Sequence, residues 1–550
     1  MISTKHLKAD LPAGLVVFLV ALPLCLGIAI ASGATPFSGL IAGIVGGIVI
    51  GALSNSPLSV SGPAAGLATL VAGAITALGG LQNYNLFLCA VVLAGVLQIA
   101  LGALKLGGIA NYIPSSVIKG MLTSIGILII AKQLPHAFGR DTDNQGHVTE
   151  LLPYGMEDWH ELIAPLQKIE VGVAIISLVS IVTMVLWDRS SFKKKIPFIP
   201  SALVAVLVAV GINQVWIATG SRFSIIESPH LVNLPVAQSP KEFLGFFTFP
   251  DFSGFFNGTV IMYAVIIALI ASLETLLSIE AIDNLDPERR VTNTNRELFA
   301  QGVGNTVSGL IGGLPITSVI VRSSANVNAG GKTKLSTIFH ASLLLLTVLL
   351  IPFILNKIPL AALAAILILT GWKLAKPAVF TGFWKAGKYQ FIPFIVTVAV
   401  IISIDLFKVV PLLSGKGLII GVFAGIMAAA GAILHGNLKN SYYFHAAKHK
   451  QGDTIFIRLS EEVSFLNKAA IRQTLDHLPE KSTVVIDASG TQYIDYDVLE
   501  VIKEFRDIKA PLKEIKLDLR GFRDEYKIEN TSHVRSEQET GQEGLLSFKN

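Results

Sequence analysis

Charge is scarce in this sequence. Asp, Glu, Lys and Arg make up 15% of its 550 residues, whereas a soluble globular domain carries about 25%. With 52% hydrophobic residues, most of the chain must be solvated by lipid. Cysteine is nearly absent: Cys25 and Cys89 both fall in apolar runs, which excludes a disulfide framework. There is no metal-ligand spacing, no nucleophile–base pair and no nucleotide loop, so neither an enzyme nor a cofactor is expected. "AGGKTK" ends like a phosphate-binding loop, but Asn326 stands where the first glycine belongs, and no strand leads into it. The net charge of +5 gives no case for nucleic acid.

Long apolar runs are what the chain does have. Stretches near the spanning length of about 20 residues recur from Leu11 to about Leu434. We mark them at 11–32, 36–53, 59–77, 84–104, 113–133, 169–188, 198–217, 258–282, 297–313, 317–329, 335–354, 357–372, 390–408 and 412–435. The first lacks a small-residue cleavage pattern and is followed by more spans, so it reads as a retained helix. Fourteen spans with a cytoplasmic N-terminus place Arg189, Lys193, Lys194 and Lys195, then Arg289, Arg290 and Arg296, then Lys373, Lys376, Lys385 and Lys388 inside. The acidic loop with Asp141, Asp143, Glu150, Glu157, Asp158 and Glu161 falls outside. Basic residues inside fit the usual topology bias. A multi-pass protein of the cytoplasmic membrane, with both termini in the cytoplasm, is the expectation.

The third and tenth segments are interrupted. "SPLSVSGPAAGLATL" runs extended into Gly62-Pro63 and then helix, and "GLIGGLPITSVIVRSS" repeats the plan around Gly312, Gly313 and Pro315. They occupy equivalent places in a seven-plus-seven division, which predicts inverted repeats with a binding site between them. Each half-helix leaves unpaired N–H groups and a positive dipole end inside the membrane. Two such ends facing each other suit a small anion. Arg322 adds a permanent charge beside the tenth, read as anion attraction in preference to a structural ion pair.

In the eighth span Glu274 and Ser278 share a helix face at i, i+4, Asp283 follows, and Glu280 lies nearer the cytoplasmic end. Glu274 reads as a coupling site for H⁺ or Na⁺, or as a partner for Arg322 or for backbone donors. Gly39, Gly43, Gly47 and Gly51 recur every four residues and form a ridge for close helix packing. After about Gly452, "DTIFIRLS" and "STVVIDAS" read as strands, and "NKAAIRQTLDHL" and "YDVLEVIKEFRDI" as amphipathic helices. That alternation predicts a small cytoplasmic α/β domain. We divide the chain into a transmembrane domain, 1–438, and this smaller domain, 439–550, ending in a polar tail after Tyr526.

At these residues the chain resembles the sulfate permease (SulP) family, which includes solute carrier family 26. The likeness is carried by "ALPLCLGIAIASG", "LSVSGPAAG", "SLETLLSIEAIDN" and "NRELFAQGVGNTVSGLIGGLPITSVIVRSSANVNAGGKT". "SFLNKAAI" and "VVIDASGTQYIDYDVL" are similar to the STAS domain of that family. The resemblance implies core and gate domains built from the two repeats, an elevator-like movement, homodimers, and substrates among sulfate, bicarbonate, chloride, oxalate and dicarboxylates. By position it implies that Ala64, Ala65, Val321 and Arg322 bind the anion, with Leu24 and Ile28 lining the pocket and Glu274 and Ser278 close by. Sodium-driven bicarbonate members carry Asp at the position of Glu274 and lack the arginine, so both departures lean towards protons, with Na⁺ at Glu274 the other option. The opening "LPAGLVVFLVALPLCLGIA" resembles members fused to carbonic anhydrase, which keeps bicarbonate a candidate. Anti-sigma-factor antagonists carry a phosphorylatable Ser after the helix-start Asp. Here Tyr496 follows Asp495, which argues against a serine phosphoswitch and for a structural or dimerisation role. The expected activity is cation-coupled secondary transport of sulfate or bicarbonate. An uncoupled anion channel or exchanger and a dicarboxylate carrier are the alternatives.

Overall fold

In the computed structural model the apolar runs fold as helices, and the two interrupted segments fold as short strands leading into half-helices. The structure describes residues 6–108, 114–139, 169–190, 199–226, 230–237, 239–407, 409, 416–439, 442–443, 454–463, 468–526 and 528–530. Lys193 to Lys195, the acidic loop from Asp141 to Glu161, most of the polar tail and the "SFLN" of the STAS-like motif lie outside the described residues. The chain divides into two compact units, Met1–Ala429 and Ala430–Asn550.

In chain order the first unit contains α1 (Leu7–Ala31), α2 (Pro36–Leu53), β1 (Ser61–Pro63), α3 (Ala65–Ala77), α4 (Leu81–Ala103), α5 (Ser115–Ala137), α6 (Val171–Arg189) and α7 (Ser201–Ala218). It continues with α8 (Gly258–Leu285), α9 (Thr294–Leu310), β2 (Ile316–Ser318), α10 (Ile320–Asn328), α11 (Leu335–Leu350), α12 (Leu360–Leu374), α13 (Pro377–Lys385) and α14 (Lys388–Asp405), and α15 (Gly417–Lys439) runs across the division into the second unit. Each of the fourteen marked stretches holds a helix or a strand–helix pair. Among the described residues, nine helical stretches have the length and composition to cross a bilayer, one of them α12 and α13 taken together.

Two departures have physical causes. Helix α1 begins at Leu7, four residues earlier than marked, because its polar first turn is held in place. The buried Asp10 carboxylate accepts from the backbone N–H of Lys332 (2.7 Å) and Thr333 (3.0 Å) and from the Thr333 hydroxyl. Helix α13 is unmarked because nine residues of mixed Phe, Trp and Lys do not read as a span. Arg289, Arg290 and Arg296 follow α8, where Arg290 Nε donates to the buried Asp286 at 2.6 Å. Burial pushes the Asp286 carboxyl up, but hydrogen bonds from Arg290 and the Glu288 backbone more than offset this and leave it below its ordinary value.

Glycine lets the helices around the interrupted segments approach to backbone contact. A Cβ on Gly39 would lie 2.2 Å from the Cys25 carbonyl oxygen, and one on Gly47 would lie 2.3 Å from Ala341 Cβ. The ridge therefore seats α2 against α1 and α11, as a packing face should. Between α4 and α9, Gly95 and Gly302 do the same: a Cβ on either would lie 2.7 Å from the other's carbonyl oxygen. Cys25 and Cys89 are both free and buried.

The second unit is α/β. Strands β4 (Thr454–Leu459), β6 (Thr483–Asp487) and β8 (Lys516–Arg520) are parallel neighbours, and β3 (Tyr442–Tyr443) pairs antiparallel to β4. A separate pair joins β5 (Glu462–Val463) to β7 (Tyr493–Ile494). Helices α16 (Lys468–Asp476) and α17 (Tyr496–Glu504) contribute Ile471, Leu475, Val498 and Ile502 to a core shared with Ile455, Val484 and Leu519. Strand β4 alternates exposed and buried residues along its length. Asp495 caps α17 by accepting from Asp497 N–H at 3.0 Å, and Tyr496 in its first turn is 68% exposed.

Candidate functional site

The two interruptions meet. Strands β1 and β2 pair antiparallel with Ser61 opposite Ser318, Gly62 opposite Thr317 and Pro63 opposite Ile316. Three backbone positions from each half thus satisfy one another where irregular backbone would otherwise be costly in a membrane. The pairing extends outward: Val319 N–H donates to Val60 O at 3.0 Å, Val60 N–H donates to Ser323 Oγ at 2.9 Å, and the Ser59 and Ser318 hydroxyls are 2.7 Å apart. Gly312, at φ +93°, supplies the left-handed turn before β2 that a side chain would resist.

Half-helices α3 and α10 start from this crossing. Their N-cap residues are Ala64 and Val319, both extended, and neither supplies a side-chain cap. The first-turn N–H groups are therefore left to whatever lies before each helix. Ala64 is buried, Ala65 is half-buried and Val321 is 48% exposed. Leu24 and Ile28 of α1 are buried in the apolar cluster against which Ala65 packs. Helix α1 packs on both half-helices.

Arg322 is fully buried, with Nη2 donating to Pro63 O at 3.3 Å, while Nε and Nη1 have no hydrogen-bond partner. The guanidinium lies against Gly62, whose missing Cβ would come within 2.1 Å of Nη1. Cys25 and His340 lie near it, and His340 Nε2 is also unpartnered. Glu274 meets the same segment four residues further on, at Gly66. Its carboxylate rests against the first turn of α3, where a Cβ on Gly66 would lie 2.6 Å from Oε1, and its shielded Oε2 has no partner. Among the described residues no ion pair joins Arg322 to Glu274, so the structure does not use one to balance the other. Ser278 is buried one turn further along α8. Glu280 is exposed, and Asp283 accepts from Thr292 N–H and Oγ1–H, each at 2.7 Å.

A polar ladder on α9 that sequence reasoning passed over holds this crossing. Glu297, Gln301 and Asn305 recur at i, i+4 and i+8 and are all fully buried. Glu297 accepts from Ser54 Oγ and from Gln301 Nε2, and Gln301 Nε2 also donates to Ser61 Oγ of β1 at 2.8 Å. Asn305 brackets β2, accepting from Ile316 N–H at 2.6 Å and donating to Ile316 O at 3.0 Å. Its Nδ2 also reaches Gln98 Oε1 at 2.7 Å. The available signal was three polar residues at helical spacing inside an apolar span. Replacing Asn305 with alanine leaves a buried N–H and C=O unpaired, at about 1–3 kcal/mol each. A clear drop in the melting temperature of the purified protein, together with loss of transport, is the expected result.

Together these features define a multi-pass membrane protein with paired half-helices at its centre and a separate α/β unit. Residues 7–397 match the sulfate permease family and residues 445–527 match the STAS domain. The chain belongs to the sulfate permease family and carries a STAS domain. Among similar proteins, "Putative sulfate transporter YvdB" of Bacillus subtilis (strain 168) is 29% identical over 68% of this chain and 65% of its own length. "Bicarbonate transporter BicA" of Picosynechococcus is 28% identical over 68% of this chain and 64% of its own. The aligned part of the chain thus spans just under two thirds of these two relatives. Among solved structures, murine Solute Carrier 26 family member A9, an anion transporter in the inward-facing state, matches with TM-score 0.71 at 16% identity, covering 96% of this chain and 87% of that one. The transmembrane domain of the cyanobacterial BicA matches with TM-score 0.60 at 24% identity, covering 78% of this chain and 99% of that one. At these identities the structural likeness shows the fold.

Proposed function

We propose that this protein is a secondary active transporter of a small inorganic anion, sulfate or bicarbonate, across the cytoplasmic membrane. The observation that carries the reading is the β1–β2 crossing, which brings two uncapped half-helix N-termini and the uncompensated charge of Arg322 together. Backbone N–H groups at Ala64, Ala65 and Val321 would hold the anion, and Leu24 and Ile28 would supply its apolar wall. Glu274, with Ser278 beside it, would couple the cycle to H⁺ or Na⁺, since a carboxylate at this depth is costly unless it takes up a cation. The names of the relatives, sulfate and bicarbonate transporters, support the substrate class.

In this reading residues 1–438 form the transport domain of fourteen segments in two inverted repeats, moving as an elevator, and residues 439–550 form the cytoplasmic STAS domain of a homodimer. Uptake into proteoliposomes tests it. Labelled sulfate or bicarbonate should accumulate above equilibrium under an inward proton or sodium gradient. Passive equilibration under every gradient would instead assign an uncoupled channel or exchanger.

The two missing Cβ atoms separate the roles. Gly62→Ala would push against the far end of the flexible Arg322 side chain, and Gly66→Ala against the Glu274 carboxylate. Neither needs the backbone to move. Gly62→Ala should therefore raise the anion concentration for half-maximal uptake while leaving the accumulation ratio at saturation intact. Gly66→Ala should lower that ratio first. Initial rates and plateau levels measured on one proteoliposome preparation distinguish the two outcomes.

A further inference from the structure

The segment between α12 and α14 is unlike its neighbours. No acidic residue occurs between Glu297 and Asp405, yet Lys373, Lys376, Lys385 and Lys388 cluster within this stretch. Lys373 is 3.7 Å from Asp188. Lys376, Lys385 and Lys388 are exposed and make no ion pair among the described residues. Interleaved with them are three exposed amphipathic rings: Trp372 (51%), Trp384 (71%) and Tyr389 (49%).

Helix α13 presents this set in a fixed frame. Phe380 and Phe383, at i and i+3, seat it on α14: Phe383 stacks on Phe394 at 4.7 Å, and Phe380 meets the same ring edge-on at 5.2 Å. Trp384 meets Phe391 edge-on at 4.9 Å. No residue of α13 is fully buried. Two residues separate it from the end of α12 and two from the start of α14, so every lysine lies within a turn or two of a membrane-helix end. Three lysines without an acidic partner among the described residues, beside exposed Trp and Tyr rings at a helix end, match the chemistry of a charged lipid interface. Ammonium groups reach the phosphodiesters, and the rings sit at headgroup depth.

We infer that α13 and its flanks form a docking surface for anionic phospholipid headgroups, with Lys376, Lys385 and Lys388 as the phosphate-contacting groups and Trp384 at the glycerol level. A nucleic acid or an acidic protein would not need the apolar rings beside the lysines. This proposal rests on the membrane reading but not on the identity of the transported anion.

The test uses the full chain in phosphatidylcholine vesicles with or without phosphatidylglycerol, with bromine on the acyl chains of one lipid at a time. Comparison with Trp384→Phe isolates the quenching at Trp384. Brominated phosphatidylglycerol should quench Trp384 more than brominated phosphatidylcholine at equal mole fraction. The triple variant Lys376→Gln, Lys385→Gln, Lys388→Gln should lose that preference by about tenfold or more while keeping its melting temperature. Equal quenching by the two lipids overturns the proposal, and so does a preference that survives in the triple variant. Labelling of Lys385→Cys by an impermeant thiol reagent from the side opposite the N-terminus would refute the topology separately from the lipid preference.

Discussion

Arg322→Ala is expected to raise the dissociation constant for the transported anion by about thirtyfold. A unit charge about 8 Å from an anion, at an effective dielectric of about 20, is worth about 2 kcal/mol, and 1.4 kcal/mol is a factor of ten. The guanidinium is well placed to exert that field in full. It is fully buried, it is held by the Pro63 carbonyl, and two of its donor nitrogens have no protein partner. Arg322→Lys keeps the charge and should recover much of the affinity, though not the hydrogen bond to Pro63 O in the same geometry. Binding is best read by calorimetry in detergent, alongside a thermal melt. Removing one partner of a buried ion pair costs about 3–5 kcal/mol, whereas removing an unpaired buried charge should leave stability equal or higher. Unchanged affinity with a large loss of stability would return Arg322 to a purely structural role.

The second large effect is on coupling. Glu274→Gln keeps the shape that fills the space left by Gly66 but removes the carboxylate proposed to bind and release a cation. Gradient-driven accumulation should collapse to simple equilibration, while exchange of labelled for unlabelled anion persists, because the anion contacts proposed at Ala64, Ala65 and Val321 are untouched. Full accumulation by the Glu274→Gln protein would sink the coupling role. Which cation drives the wild-type protein follows from the same preparation with proton and sodium gradients imposed separately.

These two residues also show how far the sequence carried. Composition determined that the chain is solvated by lipid, because too few charges exist to cover a water-exposed surface. Spacing determined where the helices lie and that the third and tenth segments break, since Gly-Pro and Gly-Gly-x-Pro leave a backbone that cannot remain helical. The glycine period in α2 determined a close-packing face before any neighbour was visible. Local chemistry could go no further, because a polar residue in an apolar span announces a site without naming its partner.

Only the tertiary structure decided that Ser61 lies opposite Ser318, 257 residues away in the register of β1 with β2. It also decided that Arg322 turns towards Gly62 and Pro63 while Glu274 rests on Gly66. The pairing of Arg322 with Glu274, open at the level of sequence, gave way to two groups with no ion pair between them among the described residues, one against Gly62 and the other against Gly66. Asn305 and Gln301 gained their role in the same way, since the strands they hold exist only once both halves of the chain have met. The physical reason is common to all of these. Burial and periodicity are properties of a segment and can be read along it, whereas a hydrogen bond or an electrostatic field joins segments whose proximity is set by packing.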